Sequence, residues 1–195
     1  MNDTISYYNE NAEQYYSSTI DVDFEWMRNK FASYLPNYAR IIDIGCGSGR
    51  DVKAFREMGY DAIGLDASEE LACLARAKSG IDVVVADMCT WIAEEPYDGI
   101  WCCAALLHLH EEDADRFLQN LQHNLTPNGI LYISVKEGIQ TGLDEKGRYM
   151  KNYTEEELRQ KLERAGLEIL DTEMSGDMLG REQFRWLNIF ARMGE

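Results

Sequence analysis

The chain has 195 residues, a length that suits one α/β domain with its own buried core. Its 35 acidic residues outnumber its 19 basic ones, and the net charge of −16 disfavours a nucleic-acid partner because an acidic surface repels phosphates. The apolar stretch 101–109 is too short to cross a bilayer, and the start 1–4 lacks the basic and apolar parts of a secretion signal. We therefore expect a cytoplasmic protein without a membrane segment.

The 5 cysteines form no pair with the spacing of a metal site. Three of them lie in apolar stretches, where a free thiol packs as a small hydrophobic group. Because a cytoplasmic location also disfavours disulfides, we predict neither a metal site nor a disulfide.

The N-terminal part of the chain is aromatic and polar. The segment 7–16 carries four tyrosines among Asn, Glu and Gln, which favours an irregular or helical lid with its rings on one side. The segment 24–35 has apolar residues at helical spacing and ends before a proline. We predict one domain, 1–195, divided into an N-terminal helical lid, 1–38, and a Rossmann-like core, 39–195.

From residue 41 onward, short apolar stretches alternate with amphipathic ones, which predicts βαβ units and a mainly parallel sheet. The Val-rich stretch 81–86 is typical of a strand buried on both faces, and 126–129 reads as a turn. The predicted strands are 41–44, 61–65, 81–86, 97–105, 130–135, 167–172 and 184–192, and the predicted helices are 51–58, one from Ser68, 111–125 and one from Thr154 to Gly166.

The last two predicted strands have no helix between them, so we expect antiparallel neighbours. The expected fold class is therefore α/β: a Rossmann-like, mostly parallel seven-stranded sheet with helices on both faces and an antiparallel last strand.

A glycine-rich loop follows the first predicted strand. Asp43 ends that strand, and Gly45, Gly47 and Gly49 follow at alternate positions, so the backbone can turn tightly and approach a ligand closely. A dinucleotide loop, Gly-x-Gly-x-x-Gly, needs its third glycine where this chain has Arg50. The spacing therefore disfavours a nicotinamide dehydrogenase. Asp51, at the start of the next helix, is interpreted as a helix cap.

Two more carboxylates follow the next two strands. Asp66 ends the second strand, where a carboxylate can accept from both ribose hydroxyls. Asp87 ends the third strand, where it can accept from an adenine amino group while the amide of Met88 donates to the ring. Each acid alone is ordinary turn chemistry, but their combination with the glycine loop favours an adenosine ligand.

These motifs, together with 125–131, resemble the class I S-adenosylmethionine-dependent methyltransferases over roughly 40–135. The N-terminal stretch 8–15 is similar to the tyrosine-bearing lid of many members. The resemblance implies S-adenosylmethionine as cofactor, S-adenosylhomocysteine as product, and Tyr8 and Tyr15 near the methionine part. The implied cofactor-binding residues are Tyr8, Tyr15, Asp43, Gly45, Cys46, Gly47, Gly49, Asp66, Ala67, Asp87, Met88, Cys103 and Ala104.

A narrower similarity is to a bacterial subgroup grouped with tellurite-resistance methyltransferases. It is carried by Gly49-Arg50-Asp51, 101–108, 147–149, Gly180-Arg181 and 186–188. The subgroup name does not establish tellurite as substrate, because fold and cofactor transfer between relatives more safely than substrate does.

The acceptor is expected above the carboxyl ends of the fourth and fifth strands. His108 is the predicted catalytic residue, as a base or as a group that orients the acceptor, and its alternative role is to cap a helix or bond a carbonyl. Trp101 is a further candidate for acceptor contact. Gly138–Gly147 is interpreted as a mobile loop that helps to close the pocket.

Three cations are predicted to bind the substrate. Lys136, Arg148 and Arg181 form an anion site if they converge, whereas the alternative is pairing with surface acids. The leading hypothesis is a methyltransferase for a small-molecule acceptor, whose acceptor atom (N, O, S or a metalloid) stays open. The alternative is a non-catalytic S-adenosylmethionine-binding or regulatory module. The sequence leaves the oligomeric state open.

Overall fold

The computed structural model describes residues 2–194; Met1 and Glu195, which the predicted lid and core include, lie outside the described residues. The α-helices are α1 (Asn2–Glu10), α2 (Ala12–Thr19), α3 (Glu25–Ala32), α4 (Arg50–Glu57), α5 (Glu69–Leu74), α6 (Glu111–Asn124) and α7 (Glu155–Arg164). The strands are β1 (Arg40–Ile44), β2 (Asp61–Asp66), β3 (Val83–Val85), β4 (Tyr97–Cys103), β5 (Leu125–Lys136), β6 (Thr141–Leu143), β7 (Tyr149–Lys151), β8 (Leu167–Gly176) and β9 (Arg185–Met193).

Seven strands form one sheet in the order β3-β2-β1-β4-β5-β9-β8. The pairs from β3 to β5 are parallel, whereas β9 runs antiparallel to both β5 and β8. The predicted fold class is confirmed, including the antiparallel last strand. The order reverses beside β1, so the loops after β1 and β4 diverge and leave a crevice at their carboxyl ends.

Apolar side chains fill both faces of this sheet. One face carries an aromatic cluster in which Trp101 stacks on Tyr132 at 3.8 Å between ring centroids, with Phe31 of α3 and Phe55 of α4 edge-on to Trp101. The other face carries an aliphatic cluster that includes the buried stripes of α6 and α7. Helices therefore cover both faces, as predicted.

The strand β3 lies at the edge of the sheet. It is shorter than the predicted 81–86, and Val84 and Val85 are 36% and 43% exposed. The expectation of a strand buried on both faces was wrong, because β3 is the edge strand of the sheet and pairs with β2 on one side.

Two segments that were predicted as a turn and a loop lie wholly or partly in strands. The segment 126–129 belongs to β5, where the pairing with β4 shifts register and Asn128 has a φ of +64°. The segment 138–147 contributes β6 to an antiparallel hairpin with β7. The register shift and the left-handed conformation of Asn128 agree with the predicted turn, and the predicted loop was incomplete because residues 141–143 form a strand. The mobility of 138–147 stays a prediction.

The helix α7 begins as its sequence predicts. Oγ1 of Thr154 accepts the backbone N–H of Glu157 at 3.2 Å, which satisfies one free donor of the first turn. Gly166 follows the helix with a φ of +85°, a conformation that favours glycine.

The helices α1 and α2 lie over the carboxyl end of the sheet. Oδ1 of Asn9 accepts the Ser68 hydroxyl at 2.7 Å, and the hydroxyls of Thr19 and Ser48 are 3.1 Å apart. By contrast, α3 buries Met27 and Phe31 completely within the core. Within residues 2–194, no helix is both long and apolar enough to cross a membrane.

Candidate active site

The glycine loop after β1 is shaped by the protein's own side chains. Gly45, Gly47 and Gly49 all have positive φ, between +53° and +76°. A Cβ on Gly45 would lie 2.5 Å from Cβ of Ala105, and one on Gly47 would lie 2.9 Å from Cε1 of Tyr15. The glycines are therefore required by chain packing as well as by any ligand.

Asp66 holds this loop from the end of β2. Its Oδ2 accepts the N–H of Gly47 and its Oδ1 accepts the N–H of Ser68, both at 2.8 Å. Burial raises the pKa of Asp66, and these backbone donors oppose that shift. Each carboxylate oxygen keeps a lone pair for a hydroxyl donor. Asp87 is arranged similarly, with its Oδ1 accepting the N–H of Cys89 at 2.9 Å.

Asp43 is a buried acid without a partner. It is 3% exposed, and no hydrogen bond to its carboxyl group is formed by any group within residues 2–194. Burial, followed by the charge of Asp51, raises its pKa well above the usual range, and Arg50 opposes the shift. A buried carboxyl group in this position favours a cationic ligand.

Asp51 is a buried ion-pair centre rather than a helix cap. Its carboxylate contacts Arg28 at 2.7 Å and Arg50 at 2.6 Å, and accepts Nε1–H of Trp101 at 3.0 Å. The N-cap of α4 is Gly49, so the cap interpretation was wrong. The proposed acceptor contact by Trp101 was also wrong, because its side chain is fully buried in the aromatic cluster.

Two cavities open above the crevice at the end of β1 and β4. The first encloses about 1040 Å³ and the second about 690 Å³, both including the open mouth. The residues that line both cavities are Tyr8, Tyr15, Gly45, Ala104 and His108.

The predicted cofactor residues divide between these cavities. The second is lined by Gly47, Asp66, Ala67, Asp87 and Met88, and the first by Asp43, Cys46 and Cys103. Gly49 is not in the lining of either cavity; a Cβ there would lie 2.4 Å from Cδ1 of Ile81.

A sharp bend after β4 brings His108 to the wall between the cavities. Ala104 has a φ of +57°, an uncommon conformation for alanine, and the short 3₁₀ turn Leu106–His108 follows. The nitrogen Nδ1 of His108 lies 2.9 Å from the carbonyl oxygen of Tyr149, so Nδ1 carries the proton. Nε2 then accepts the Tyr8 hydroxyl at 2.9 Å.

Arg148 completes this arrangement from the hairpin. Its Nη1 donates to the Tyr8 hydroxyl at 2.9 Å. Burial, reinforced by Arg148, lowers the pKa of His108 to about 4, so the imidazole is neutral at neutral pH. Burial raises the pKa of Tyr8 to about 12, which keeps its hydroxyl protonated.

The three predicted substrate-binding cations converge on the first cavity. Lys136, Arg148 and Arg181 all line it. The alternative of acidic pairing also applies in part, since Arg148 binds Asp144 and Arg181 binds Asp177, at 2.6 and 2.5 Å. No carboxylate within residues 2–194 lies within 4.0 Å of the Lys136 ammonium.

Sequence reasoning missed the groups that support these cations. Asp144 and Asp177 each lie four residues before the arginine they bind, and that repeated spacing was a usable signal. The carbonyl oxygen of Tyr149 had no signal, because any residue could supply it. Phe184, whose ring centroid lies 3.7 Å from Nζ of Lys136, was missed as well. Within residues 2–194, no group of three His, Cys, Asp or Glu side chains could hold a metal ion.

The sheet order, the glycine loop and the acids after β1, β2 and β3 define a Rossmann-like protein with an adenosine-type crevice. A family model described as a methyltransferase domain matches residues 26–172, most of the chain. The chain belongs to this methyltransferase domain family.

Two curated relatives are similar over part of the chain. The ubiquinone biosynthesis O-methyltransferase of Sinorhizobium fredii is 28% identical over 153 residues, which cover 68% of this chain and 61% of the relative. The trans-aconitate 2-methyltransferase of Rhizobium rhizogenes is 33% identical over 105 residues, which cover 51% of this chain and 40% of the relative. The chain thus spans less than two thirds of either relative.

A solved structure is similar over nearly the whole chain. The 1,6-didemethyltoxoflavin-N1-methyltransferase of Burkholderia thailandensis was crystallised with 1,6-didemethyltoxoflavin and S-adenosylhomocysteine. It superposes with a TM-score of 0.74 and 23% identity, covering 98% of this chain and 91% of that one. At this identity the likeness establishes the shared fold.

Proposed function

We propose that the chain is an S-adenosylmethionine-dependent methyltransferase for a small-molecule acceptor. The observation that carries the proposal is the pair of cavities that meet at Tyr8, Tyr15 and His108. The cofactor would lie across both cavities at this shared wall, and an acceptor in the remaining part of the first cavity could be aligned there for an in-line methyl transfer. Family membership supports the same reaction class.

The second cavity suits the adenosine part. Asp66 is fixed by two backbone donors and keeps free lone pairs for ribose hydroxyls. Asp87 and Met88 line the same cavity, where they would recognise the adenine edge, with Ala67 and Gly47 against the nucleoside.

The first cavity suits the methionine part beside the shared wall. The unpartnered carboxyl group of Asp43 would receive the cofactor's ammonium group, and the pairing would restore the charged carboxylate. Gly45, Cys46, Cys103 and Ala104 line the passage beside it, with Tyr8 and Tyr15 above. The residues of this passage therefore fit the cofactor on chemical grounds.

When bound, S-adenosylmethionine supplies an activated methyl group, and S-adenosylhomocysteine is the product. The chain's own residues then have to align the acceptor and, where the acceptor carries a proton that must leave, receive that proton. The Tyr8 hydroxyl accepts from Arg148, donates to Nε2 of His108, and keeps one lone pair for an acceptor N–H or O–H. As the acceptor becomes acidic, its proton passes to Tyr8 and the Tyr8 proton to Nε2 of His108.

Three finer assignments belong to this proposal. The helices α1 and α2 act as the lid of a single domain, whereas α3, which also falls in the predicted lid 1–38, packs into the core. The protein acts in the cytoplasm on small molecules and not on nucleic acid. The tellurite-resistance subgroup remains a similarity of motifs, and it assigns no tellurite chemistry.

Calorimetric titration with S-adenosylmethionine tests the cofactor assignment. Native protein should bind saturably, and Asp66→Ala should weaken binding by at least about tenfold because the ribose acceptor and the loop anchor are both lost. Asp61→Ala is the matched control, since Asp61 begins the strand that Asp66 ends and is exposed. Equal affinity of native protein and Asp66→Ala would overturn the assignment.

A further inference from the structure

The first cavity concentrates positive charge in a strongly acidic chain. The net charge is −16, yet Lys136, Arg148 and Arg181 face one cavity. The two arginines are neutralised locally, because each forms a close ion pair with an aspartate four residues earlier. Arg50, which also lines the cavity, is paired with Asp51, so among residues 2–194 the cation of this cavity that has no acidic partner is Lys136.

Lys136 is held by aromatic rings and not by a carboxylate. It ends β5 opposite Trp186 of β9, and its Nζ lies 3.7 Å from the Phe184 ring centroid and 6.0 Å from that of Trp186. Ring faces stabilise an ammonium group while leaving its other N–H donors free. Burial and the neighbouring Arg181 and Arg148 lower the pKa of Lys136, as expected for a cation that lacks an anionic partner.

The cavity around Lys136 is lined by both apolar and acidic residues. Apolar surface comes from Leu107, Met150, Met178, Leu179 and Trp186. Acidic groups at the same cavity are Asp43, Asp51 and Asp177, and Asp144 lies just behind Arg148. Asp51, Asp144 and Asp177 are each balanced by an arginine, so these pairs add little net charge beside Lys136. A single carboxylate matches the one charge of the Lys136 ammonium group, whereas a doubly charged phosphate would leave a negative charge in excess.

We propose that the methyl acceptor is a small carboxylic acid with an apolar body, whose carboxylate binds Lys136 between Phe184 and Trp186. This inference rests on the proposed function in one respect, that the bound carboxylic acid is the methyl acceptor. The carboxylate site itself needs no bound cofactor. Arg148 and Arg181 flank the site through their outer N–H groups, while their aspartates hold them in place. The apolar body would extend past Met150 toward Tyr8 and His108 at the shared wall.

Nuclear magnetic resonance on the cofactor-free protein tests the site directly. The probe signal is the indole N–H of Trp186, which donates to Oδ1 of Asp177 at 2.9 Å and is assigned by its loss in Trp186→Phe. The titrants are benzoate, its neutral counterpart benzamide, and the dianion phenyl phosphate. We expect a saturable shift with benzoate, and at least about tenfold weaker binding of the other two.

Variants test whether benzoate binding depends on the Lys136 ammonium group or on the overall charge of the protein. Lys136→Met, which keeps a stem of similar bulk, should weaken benzoate at least about tenfold, to the level of benzamide, and Lys136→Arg should retain most of the affinity. Lys53→Met removes an exposed lysine elsewhere and should bind benzoate as the native protein does.

The inference is overturned if benzoate gives no saturable shift, if phenyl phosphate or benzamide binds as tightly, or if Lys136→Met binds benzoate like native protein. Calorimetry with S-adenosylmethionine on the same samples reports on the proposed function separately. A protein that binds benzoate through Lys136 but not S-adenosylmethionine would refute the cofactor assignment and leave the carboxylate site standing.

Discussion

The hydroxyl of Tyr8 lies 2.9 Å from Nε2 of His108, across 100 residues of chain. The same hydroxyl accepts from Nη1 of Arg148 on the hairpin, so one oxygen links α1, the turn after β4 and the β6–β7 arm. A second link is parallel to it, because the N–H of Tyr149 donates to Oγ1 of Thr4 at 3.1 Å. Lid and hairpin are therefore coupled elements that enclose the shared wall of the two cavities.

Tyr8→Phe should loosen both elements together. The hydroxyl's bonds to a guanidinium and an imidazole are lost, and a hydrogen bond to a charged group contributes about 1.5–3 kcal/mol. Hydrogen exchange should therefore become roughly tenfold or more faster in both α1 and the β6–β7 hairpin. Tyr7→Phe is the adjacent control, since no hydrogen bond to the Tyr7 hydroxyl is formed within residues 2–194. Faster exchange in α1 alone would contradict the coupling.

The low pKa of His108 predicts a specific dependence of stability on pH. The pKa of a histidine is near 6.5 in the unfolded chain, whereas that of His108 is about 4 in the folded protein. As the pH falls, the unfolded state therefore binds the proton first. The free energy of unfolding decreases as the pH drops from 6.5 towards 4. Between pH 7 and pH 5 this one group should remove about 2 kcal/mol of the free energy of unfolding.

His108→Gln tests that pH effect by difference. The variant lacks the titrating group, so its urea-unfolding free energy should fall by about 2 kcal/mol less than that of native protein between the two pH values. Comparing the two proteins cancels the contributions of the buried acids Asp43 and Asp66. Parallel pH curves for native protein and variant would contradict the burial of a neutral His108.

Asp51→Ala should be strongly destabilising. It leaves Arg28 and Arg50 buried without their shared carboxylate and removes the acceptor of Trp101. Breaking a buried pair in this way costs about 3–5 kcal/mol, measured by chemical denaturation. The comparison is Asp113→Ala, whose exposed pair with Arg116 should contribute less than about 1 kcal/mol. Equal losses in the two variants would contradict the buried ion-pair centre.

Gly49→Ala should cost more stability than the same change at Gly59. Both glycines have positive φ, so backbone strain lowers the free energy of unfolding of each alanine variant by about 1–2 kcal/mol. Only at Gly49 does the new Cβ collide, 2.4 Å from Cδ1 of Ile81, whereas nothing lies within 4 Å at Gly59. Overpacking adds about 1–3 kcal/mol to the loss at Gly49. Equal unfolding free energies for the two variants would contradict this role of the loop.

The parts of the fold that sequence predicts well depend on local patterns. The stripe of α6, the cap at Thr154 and the loop from Asp43 to Gly49 each follow from residues a few positions apart. Local patterns predict the wrong structure where the same amino-acid composition is compatible with two structures. The glycines of 138–147 predict a loop, and only the pairing of β6 with β7 reveals that residues 141–143 of this loop form a strand.

The rest of the site depends on distant pairs that no local pattern encodes. The chain brings Arg28 to Asp51 and Tyr8 to His108 only after the helices have packed. Asp51 was therefore interpreted from its place at a helix start, although three distant or neighbouring donors determine its role. The convergence of Lys136 with Arg181 likewise required the pairing of β5 with β9, which follows from the sheet order and not from spacing.

Turnover of S-adenosylmethionine at the shared wall releases S-adenosylhomocysteine, and the formation of this product can be measured. Native protein, Asp66→Ala and Asp61→Ala would be incubated with S-adenosylmethionine and a macromolecule-free pool of small metabolites, with pool-free samples as blanks. We expect S-adenosylhomocysteine above the blank with native protein and Asp61→Ala, and at least about tenfold less product with Asp66→Ala. Saturable binding of S-adenosylmethionine without any product above the blank would contradict this expectation and favour a non-catalytic binding module.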